Sequence, residues 1–476
     1  MPQQPLAPPW CLLLGGRLRH GIDDEDYAKK RSLLPLDINL KSTQSWGFPS
    51  FDAESSIGCM KLQALVTNPP DFSSLVLKTE KGLFPAIHAV DKNLIVFFSH
   101  LPNEIDGIYV IYDTISKALS VLPSEPPRFE FDMTLASRPL IVRRYAKDDP
   151  YALVLMGKKP TQAGGQGRRP RHLAKRPRYL AAFVLVLVFA LVLVLALALA
   201  TANLPGDWLE SGGATTFLAD VTFSFQGHAF WADLLCGVLF CRSSDLFSHS
   251  VTCVNVGFID LPTCCQAEAD VRFTGTLAGP EAYRTMGCSR GSIKFVSIDF
   301  QLFHGNRRVT VWRLHFSSKT WVKQYMVTQK HLWKQPEFTG ANPNLPRDMT
   351  LMHPIINTVE EDVICLMLGK YKLGSTGIII PYKVSYSIRV NMFNGTILSY
   401  APIPSPYTLA PVILSSDFTC YIPSDSDTPP LGPPVASPSG NERGQGRGRG
   451  QVTLPPLAGQ GRGWGRAPAP WNVYEL

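Results

Sequence analysis

The chain has 476 residues, of which 45% are hydrophobic and 18% are charged, and its formal net charge is +8. Such a chain is long and apolar enough to bury a core, which excludes a wholly disordered protein. The positive charge is concentrated beside one apolar run and in an Arg-Gly tail, so it does not by itself indicate a nucleic-acid-binding protein. The ten cysteines show no CxxC spacing, so neither a zinc site nor a disulfide framework is indicated.

The first part of the chain divides into an irregular segment and a β region. Residues 1–59 mix proline, glycine and charge without sustained periodicity, and we interpret them as an irregular N-terminal region. Residues 60–157 contain short runs rich in Val, Ile, Phe and Tyr, such as NLIVFFSHL and GIYVIYD, which are broken by turn-forming residues. Runs of this kind at close spacing, with no helical stretch between them, predict antiparallel β structure. The same pattern returns over residues 203–425.

A basic linker, residues 158–179, leads into a run without charged or polar residues, Leu180 to Ala200. About twenty apolar residues are enough for a helix to cross a hydrocarbon core. The run therefore predicts a transmembrane helix over residues 180–202 that binds the lipid bilayer. The basic cluster Arg168 to Arg178 would then place the N-terminal half in the cytosol, in a single-pass membrane protein. The cluster would contact anionic lipid, or alternatively act as a nuclear-localisation patch.

The apolar run also has other interpretations, because a membrane span would separate two β regions that resemble halves of one domain. It is either a span between separately folded halves, a helix buried in a large core, or a segment lying against the domain or the membrane face. A further possibility is that the functional protein lacks residues 158–202. The alternative to a membrane protein is a soluble cytoplasmic or nuclear one, which suits reduced cysteines inside apolar runs.

Three segments share the pattern of an alternating strand, a polar turn and a second strand, namely Ile108 to Pro123, Val309 to Val327 and Ser387 to Pro404. Each predicts a β-hairpin. The first and second segments start about 200 residues apart, or about 155 if an insert of about 45 residues is left out. The second and third start about 80 residues apart. Both 155 and 80 are near multiples of the roughly 40 residues of a propeller blade. A propeller-like repeat and a sandwich or barrel both stay open.

The tail, residues 426–476, is rich in Pro, Ser, Gly and Arg and cannot bury enough surface to offset its ordering entropy. We therefore expect it to be disordered. Four Arg-Gly dipeptides between residues 443 and 463, with Trp464 beside the last, could bind RNA through phosphates and base stacking. RNA binding is an alternative function, but a solvated tail is favoured and nucleic acid is not favoured as a partner.

Two short motifs suggest chemistry. The segment Gly287 to Gly291 fits G-x-S-x-G, which would make Ser289 the nucleophile of a serine hydrolase. The residues that follow alternate like a strand, so a tight β-turn is the favoured interpretation. Asn394 begins an N-x-T sequon that is also an Asn-Gly hairpin turn, and it would be glycosylated if this half faced a lumen. His304 and His315 fit surface or core positions better than ligand positions.

The runs FSFQGHAFWADLLCGVLFCRSSDL, from Phe223 to Leu246, and EAYRTMGCSRGSIKFVSID, from Glu281 to Asp299, resemble a plant family known as domain of unknown function 1618. The upstream runs GLFPAIHAVDKNLIVFFSH and IYVIYDTISKALSVLPSEPPRF also resemble its N-terminal portion. This family is expanded in grasses, and its members look like the β-repeat modules that hold partner proteins. The resemblance implies no catalytic residue and no cofactor. Residues 158–202 depart from the family pattern.

Together these observations predict a mostly β protein with an antiparallel propeller-like or sandwich repeat, one transmembrane helix and a disordered tail. The favoured function is a non-enzymatic β-repeat module that binds a partner protein, with the apolar run as a membrane anchor. No cofactor, metal or catalytic residue is predicted.

Overall fold

In the computed structural model, antiparallel strands account for most of the described residues. These are residues 11–15, 34–38, 44–45, 60–67, 69–78, 86–100, 107–123, 139–143, 151–158, 182–189, 196–203, 217–247, 253–266, 279–298, 307–339, 345–373, 379–403 and 412–416. The predicted tail, the basic cluster before the apolar run and most of the irregular N-terminal region lie outside these ranges.

Most of the apolar runs form short strands, as the alternation of their side chains predicts. The strands are β1 (Cys11–Gly15), β2 (Leu34–Leu36), β3 (Gln44–Ser45), β4 (Lys61–Leu65), β5 (Phe72–Lys78), β6 (Ala86–Asp91), β7 (Leu94–His100), β8 (Gly107–Asp113), β9 (Ala118–Pro123), β10 (Leu140–Arg143), β11 (Tyr151–Lys158), β12 (Ala182–Phe189), β13 (Ala196–Asn203), β14 (Val221–Phe225), β15 (His228–Asp233), β16 (Gly237–Arg242), β17 (Cys253–Asn255), β18 (Gly257–Asp260), β19 (Arg284–Ser289), β20 (Ser292–Ile298), β21 (Arg308–His315), β22 (Thr320–Thr328), β23 (Thr350–Ile356), β24 (Val363–Leu373), β25 (Ile379–Asn391), β26 (Thr396–Pro402) and β27 (Val412–Ser416). The helices are α1 (Ser243–Leu246), α2 (Gln329–Leu332) and α3 (Pro336–Thr339), and 3-10 turns lie at Thr263–Cys265 and Pro280–Ala282.

The described strands form six sheets of four or five strands. In chain order these are the sheets β3-β9-β8-β7-β6, β10-β11-β12-β13-β17, β14-β15-β16-β18, β19-β20-β21-β22 and β23-β24-β25-β26. The sixth has the order β2-β4-β5-β1-β27, so strands from near both ends of the chain lie side by side in it. Neighbouring strands are antiparallel except at three pairs, β1 with β5, β3 with β9 and β13 with β17.

The sheets have a propeller-like arrangement. One terminal strand of each sheet contacts the corresponding strand of the next, in the closed series β6, β10, β14, β19, β23 and β27. These strands therefore surround a common axis, as the innermost strands of propeller blades do. Of the two predicted architectures, the structure has the propeller-like one rather than the sandwich.

The core lies between neighbouring sheets. One cluster joins the sheet of β19 to β22 with that of β23 to β26 and includes Val296 and Leu366. Another joins the sheet β14-β15-β16-β18 with that of β19 to β22 through Phe230 and Phe295. Because a blade packs against a sheet on each face, its strands are covered on both sides, and every residue of Ser292–Ile298 is buried.

The three predicted hairpins are confirmed as β8–β9, β21–β22 and β25–β26, each at equivalent positions in its sheet. The period of about 40 residues per blade that we inferred from these hairpins is wrong, however. The second and third hairpins, whose starts differ by about two 40-residue units, belong to adjacent sheets, because α2, α3 and their connections lie between β22 and β23.

The prediction of a transmembrane helix over residues 180–202 is wrong. The structure has the strands β12 and β13 in this segment, and they pair antiparallel from Ala182↔Ala202 to Val188↔Ala196. β12 also pairs with β11 along its whole length, and β13 pairs with β17, so the two described parts of the run lie inside a sheet. An unbroken apolar run suits a strand of a covered sheet as well as a helix, and its valines favour the strand. Within the described ranges no helix has the length and apolarity that crossing a membrane requires.

Candidate functional site

Ser289 lies in a hairpin turn and not in a nucleophile elbow. It ends β19 and pairs with Ser292, the first residue of β20, across a turn in which Arg290 and Gly291 have φ of 40° and 78°. Its side-chain oxygen is buried and has no hydrogen-bond partner among the described residues. Because a strand follows the turn where an elbow requires a helix, the β-turn interpretation is confirmed.

Asn394 occupies the turn between β25 and β26, as predicted. Its Oδ1 accepts hydrogen bonds from the backbone nitrogen of Thr396 at 3.1 Å and from the Thr396 hydroxyl at 2.7 Å. The next residue, Gly395, has φ of 69°, a value that favours glycine. Asn394 is exposed, and its glycosylation stays a prediction that depends on the compartment.

The remaining predicted positions show no convergence on a site. His315 is exposed at the end of β21, as expected for a surface residue, whereas His304, the Arg-Gly dipeptides and Trp464 lie outside the described residues. Among the residues that the structure describes, no group of three or more His, Cys, Asp and Glu side chains could hold a metal ion.

A cavity of about 250 Å³ lies among the innermost strands. Its wall includes His88 and Asp91 on β6, Thr222 on β14 and Cys288 on β19. The Cys288 thiol lies 3.8 Å from the carbonyl oxygen of Ser224, and burial raises the pKa of this thiol, which disfavours the reactive thiolate. The volume is below the range of about 300–1,000 Å³ typical of small-molecule sites. The cavity is therefore a weaker candidate than the next one.

A larger pocket of about 460 Å³ opens between the sheet β14-β15-β16-β18 and the sheet β19-β20-β21-β22. We call it the aromatic pocket and define it by the rings of His228, Phe240 and Phe316 and the charged side chains of Arg242, Asp245 and Lys319. Its volume falls within the ligand-site range, and its three rings are half-buried. Arg242 and Lys319 are exposed beside them and Asp245 is half-buried, so the pocket combines apolar walls with a rim of two cations and one carboxylate.

Local turn chemistry places these residues together. Gln226 and Gly227, with φ of 45° and 71°, form the turn that makes His228 the first residue of β15. His228 pairs with Arg242 at the end of β16, which fixes both at one end of the sheet. Phe316 and Lys319 belong to the turn between β21 and β22 in the adjacent sheet. The pocket thus forms where the hairpin turns of two sheets meet.

The rings contact one another edge to face, the geometry that aromatic pairs prefer. The centroid of Phe316 lies 4.9 Å from that of His228 and 5.1 Å from that of Phe240, with interplanar angles of 71° and 78°. Phe230 lies beneath them and is fully buried, with its centroid 5.4 Å from that of Phe316. The cluster is anchored in the core on one side and open on the other.

Electrostatic contacts orient the pocket further. The Lys319 Nζ lies 5.4 Å from the centroid of Phe240, within cation–π range. The Nδ1 of His228 lies 3.0 Å from the carbonyl oxygen of Gln226, and because a carbonyl accepts only, Nδ1 carries a proton. In the neutral imidazole, Nε2 is then a hydrogen-bond acceptor. The pocket can therefore offer apolar contact, two cations and a ring nitrogen to a ligand.

Sequence reasoning missed this pocket. Phe240 and Phe316 each continue a strand-like alternation, so both look like ordinary core residues in the sequence. The available signal was the position of Phe316 directly before the polar turn Ser317-Ser318-Lys319, where a core residue is less expected than at mid-strand.

The solved structures that match the chain include the following three, all at low identity. A crystal structure of an unknown function protein from Dyadobacter fermentans is 10% identical over 68% of this chain and 84% of that chain, with a TM-score of 0.31. A protein from Lactobacillus plantarum is 11% identical over 72% of this chain and 92% of that chain, with a TM-score of 0.24. NanB sialidase from Streptococcus pneumoniae is 7% identical over 67% of this chain and 34% of that chain, with a TM-score of 0.21. These scores are too low to support an inference.

No curated protein matches the chain. One family model does match it, that of the family described as "Protein of unknown function (DUF1618)", and the match includes Phe240 and Phe316 of the aromatic pocket. The match covers less than half of the chain and shows nothing about the source organism, so a plant origin is not shown. Residues 231–365 are therefore similar to the DUF1618 family, which supports the resemblance that the sequence indicated.

Proposed function

We propose that the chain is a non-enzymatic β-repeat module that binds a partner protein at the aromatic pocket. The observation that carries the proposal is the open cluster of His228, Phe240 and Phe316, which packs against buried Phe230 on one side and is accessible on the other. Binding energy at protein interfaces is concentrated in a few aromatic and arginine side chains that fit into pockets. The rings beside Arg242 have this composition.

Further turns of the same kind support a protein partner. Phe393, at the tip of the β25–β26 turn, is 76% exposed, and Ile115, in the β8–β9 turn, is 45% exposed. These turns join the same pair of strands in their sheets as the Phe316 turn does. Apolar side chains at equivalent turns would extend a contact surface beyond the pocket itself, as an interface of about 800 Å² per partner requires.

The test compares the full chain with Phe316→Ala and with a matched control, Leu398→Ala. Leu398 is 47% exposed on β26 and does not line the pocket, so its truncation also removes exposed apolar surface. Partners would be stabilised by crosslinking in the native cells, identified by quantitative mass spectrometry and then bound as purified proteins. We expect at least one partner whose affinity falls about tenfold or more with Phe316→Ala and stays unchanged with Leu398→Ala.

Circular dichroism and thermal unfolding of both variants must match the wild type, so that lost binding is not lost folding. A partner set that is identical for the wild type and Phe316→Ala would overturn the proposal. A second variant, Lys319→Glu, keeps every ring and reverses one rim charge. If the rim contributes to docking, this variant slows association, and the difference disappears at high salt.

A further inference from the structure

Two adjacent cysteines lie at the other end of the same pair of sheets. Cys264 and Cys265 belong to the 3-10 turn that follows β18, and their Sγ atoms are 3.8 Å apart. Cys264 is exposed, whereas Cys265 is 7% exposed. One thiol of the pair therefore meets solvent while its neighbour lies directly beneath it.

The surroundings hold the pair in place. The backbone nitrogen of Cys265 donates to the carbonyl oxygen of Pro262 at 2.6 Å, which closes the turn. The Sγ of Cys265 lies 3.7 Å from the hydroxyl oxygen of Ser297 on β20, so the turn contacts the adjacent sheet. The side chain of Gln266 donates to the carbonyl oxygen of Leu261 at 3.3 Å. Fixed geometry of this kind favours reactions that need both sulfurs at once.

A disulfide is a poor product for this pair. Adjacent residues have Cα atoms about 3.8 Å apart across a trans peptide, whereas disulfides usually require about 4.4–6.8 Å. A single atom that bonds to both sulfurs fits better, because it bridges them without a direct sulfur–sulfur bond. Two bonds of about 2.3 Å span at most about 4.6 Å, so one atom can reach both sulfurs at the observed Sγ–Sγ distance of 3.8 Å.

We infer that Cys264 and Cys265 form a dithiol site that chelates a thiophilic centre through both sulfurs, and that trivalent arsenic compounds are the ligand class it takes. Metal ions such as Zn²⁺ commonly need three or four protein ligands, and no group of three candidate side chains exists among the described residues. Trivalent arsenic in a monosubstituted arsenic oxide needs only two thiols.

The reaction is a condensation without a redox change. The exposed Cys264 sulfur attacks arsenic first and forms one arsenic–sulfur bond. Cys265 then closes the ring within the same molecule, and the two thiol protons leave with the arsenic-bound oxygen as one water. Burial raises the pKa of Cys265 to about 11, so this residue carries its proton at neutral pH and delivers it in the second step.

The experiment titrates the full-length, reduced chain with phenylarsine oxide and measures the adduct by native mass spectrometry. We expect one phenylarsenic group per chain with loss of two thiol hydrogens, located by peptide mapping on the segment that contains residues 264 and 265. A dithiol such as 2,3-dimercaptopropanol should remove it, and a monothiol at equal thiol concentration should not.

Three variants make the assignment specific. Cys264→Ser and Cys265→Ser should each lower the affinity about tenfold or more, since a single thiol cannot close the ring. Cys236→Ser, which alters a half-buried cysteine in a neighbouring turn, should bind as the wild type does. The inference is overturned if the wild type forms no adduct, if mapping places arsenic elsewhere, or if the adduct persists in both variants. The mapping on the wild type tests the site even if a variant fails to fold.

Discussion

The sheets β14-β15-β16-β18 and β19-β20-β21-β22 expose different groups at their two ends. At the aromatic pocket, half-buried rings face solvent and the cations of Arg242 and Lys319 are exposed. At the other end, where β15 turns into β16, the carboxylate of Asp233 is fully buried. It accepts hydrogen bonds from the backbone nitrogens of Leu218 and Leu235 at 2.8 and 2.9 Å, and from that of Cys236 at 3.1 Å.

Arg284 completes this closed end. Its guanidinium donates to the carbonyl oxygen of Leu234 at 2.8 Å, and burial lowers the pKa of the group although Asp233 opposes that shift. The Asp233 carboxylate and one N–H of Arg284 are thus used to fix the backbone at the closed end, whereas the open end leaves its rings available. Groups that fix the backbone and accessible aromatic rings therefore lie at opposite ends of the same strands. Variants at the closed end should therefore change the free energy of unfolding more than those at the open end.

The largest effect is expected from Asp233→Ala. It leaves the backbone N–H groups of Leu218 and Leu235 without their acceptor, whereas the N–H of Cys236 keeps the carbonyl oxygen of residue 233 at 3.3 Å. The free energy of unfolding should therefore fall by about 4 kcal/mol. Urea denaturation of the wild type, the variant and Asp233→Asn would measure this. Asp233→Asn keeps an acceptor oxygen and should lose less. A loss below about 1 kcal/mol for Asp233→Ala would show that the carboxylate does not hold the turn.

Gly237, at the same closed end, should tolerate no side chain. An added Cβ would lie 2.5 Å from the carbonyl oxygen of Ile259 and 2.5 Å from the ring of Phe258. Because the nearest atom is backbone, Gly237→Ala should lower the free energy of unfolding by about 3 kcal/mol. Thermal unfolding of purified protein would report it. A wild-type melting temperature in this variant would mean that β16 and β18 move apart easily at this end of their sheet.

His353 on β23 should make the protein sensitive to acid. It is 7% exposed, and burial lowers its pKa from 6.5 to about 4 despite a favourable interaction with the backbone of Glu281. Since the unfolded chain binds a proton below pH 6.5 and the folded chain does not, stability falls as pH drops from 6.5 towards 4. The loss should reach about 2 kcal/mol by pH 5.

Chemical denaturation of the wild type and His353→Gln at pH 8 and pH 5 would isolate this contribution. At pH 8 the histidine is neutral in both states, so the comparison there gives the cost of the substitution alone. The variant should lose less stability than the wild type between the two values. Equal losses would assign the acid sensitivity to other groups.

Much of the fold follows from local chemistry and is therefore predictable from the sequence. The hairpins, the turn at Gly291 and the turn at Asn394 depend on residues that are adjacent in the chain, and all agree with the structure. The apolar run was wrongly predicted to be a helix, because hydropathy describes the transfer of side chains from water and does not distinguish a helical backbone from an extended one. Its pairing with β11 and β17 depends on strands distant in sequence.

The aromatic pocket could not be predicted in the same way. Phe240 and Phe316 belong to different sheets, and their half-buried state depends on how closely the two sheets approach at one end. The sequence shows two apolar residues at strand positions, which the core needs as well. The dithiol pair is visible in the sequence, but its Sγ–Sγ distance and the contrast in exposure require the fold.

The smallest effect is expected at Gly291, in the hairpin turn between β19 and β20. Its φ of 78° disfavours other residues, yet an added Cβ would meet no atom within 4 Å. Gly291→Ala should therefore lower the free energy of unfolding by only about 1 kcal/mol, and Gly291→Asn by less, because asparagine tolerates this backbone conformation. Urea denaturation beside Gly237→Ala measures both positions under the same conditions. If the two alanine variants lost equal stability, this turn would be as closely packed as the Gly237 turn, and the contrast between closed and open ends would fail at this position.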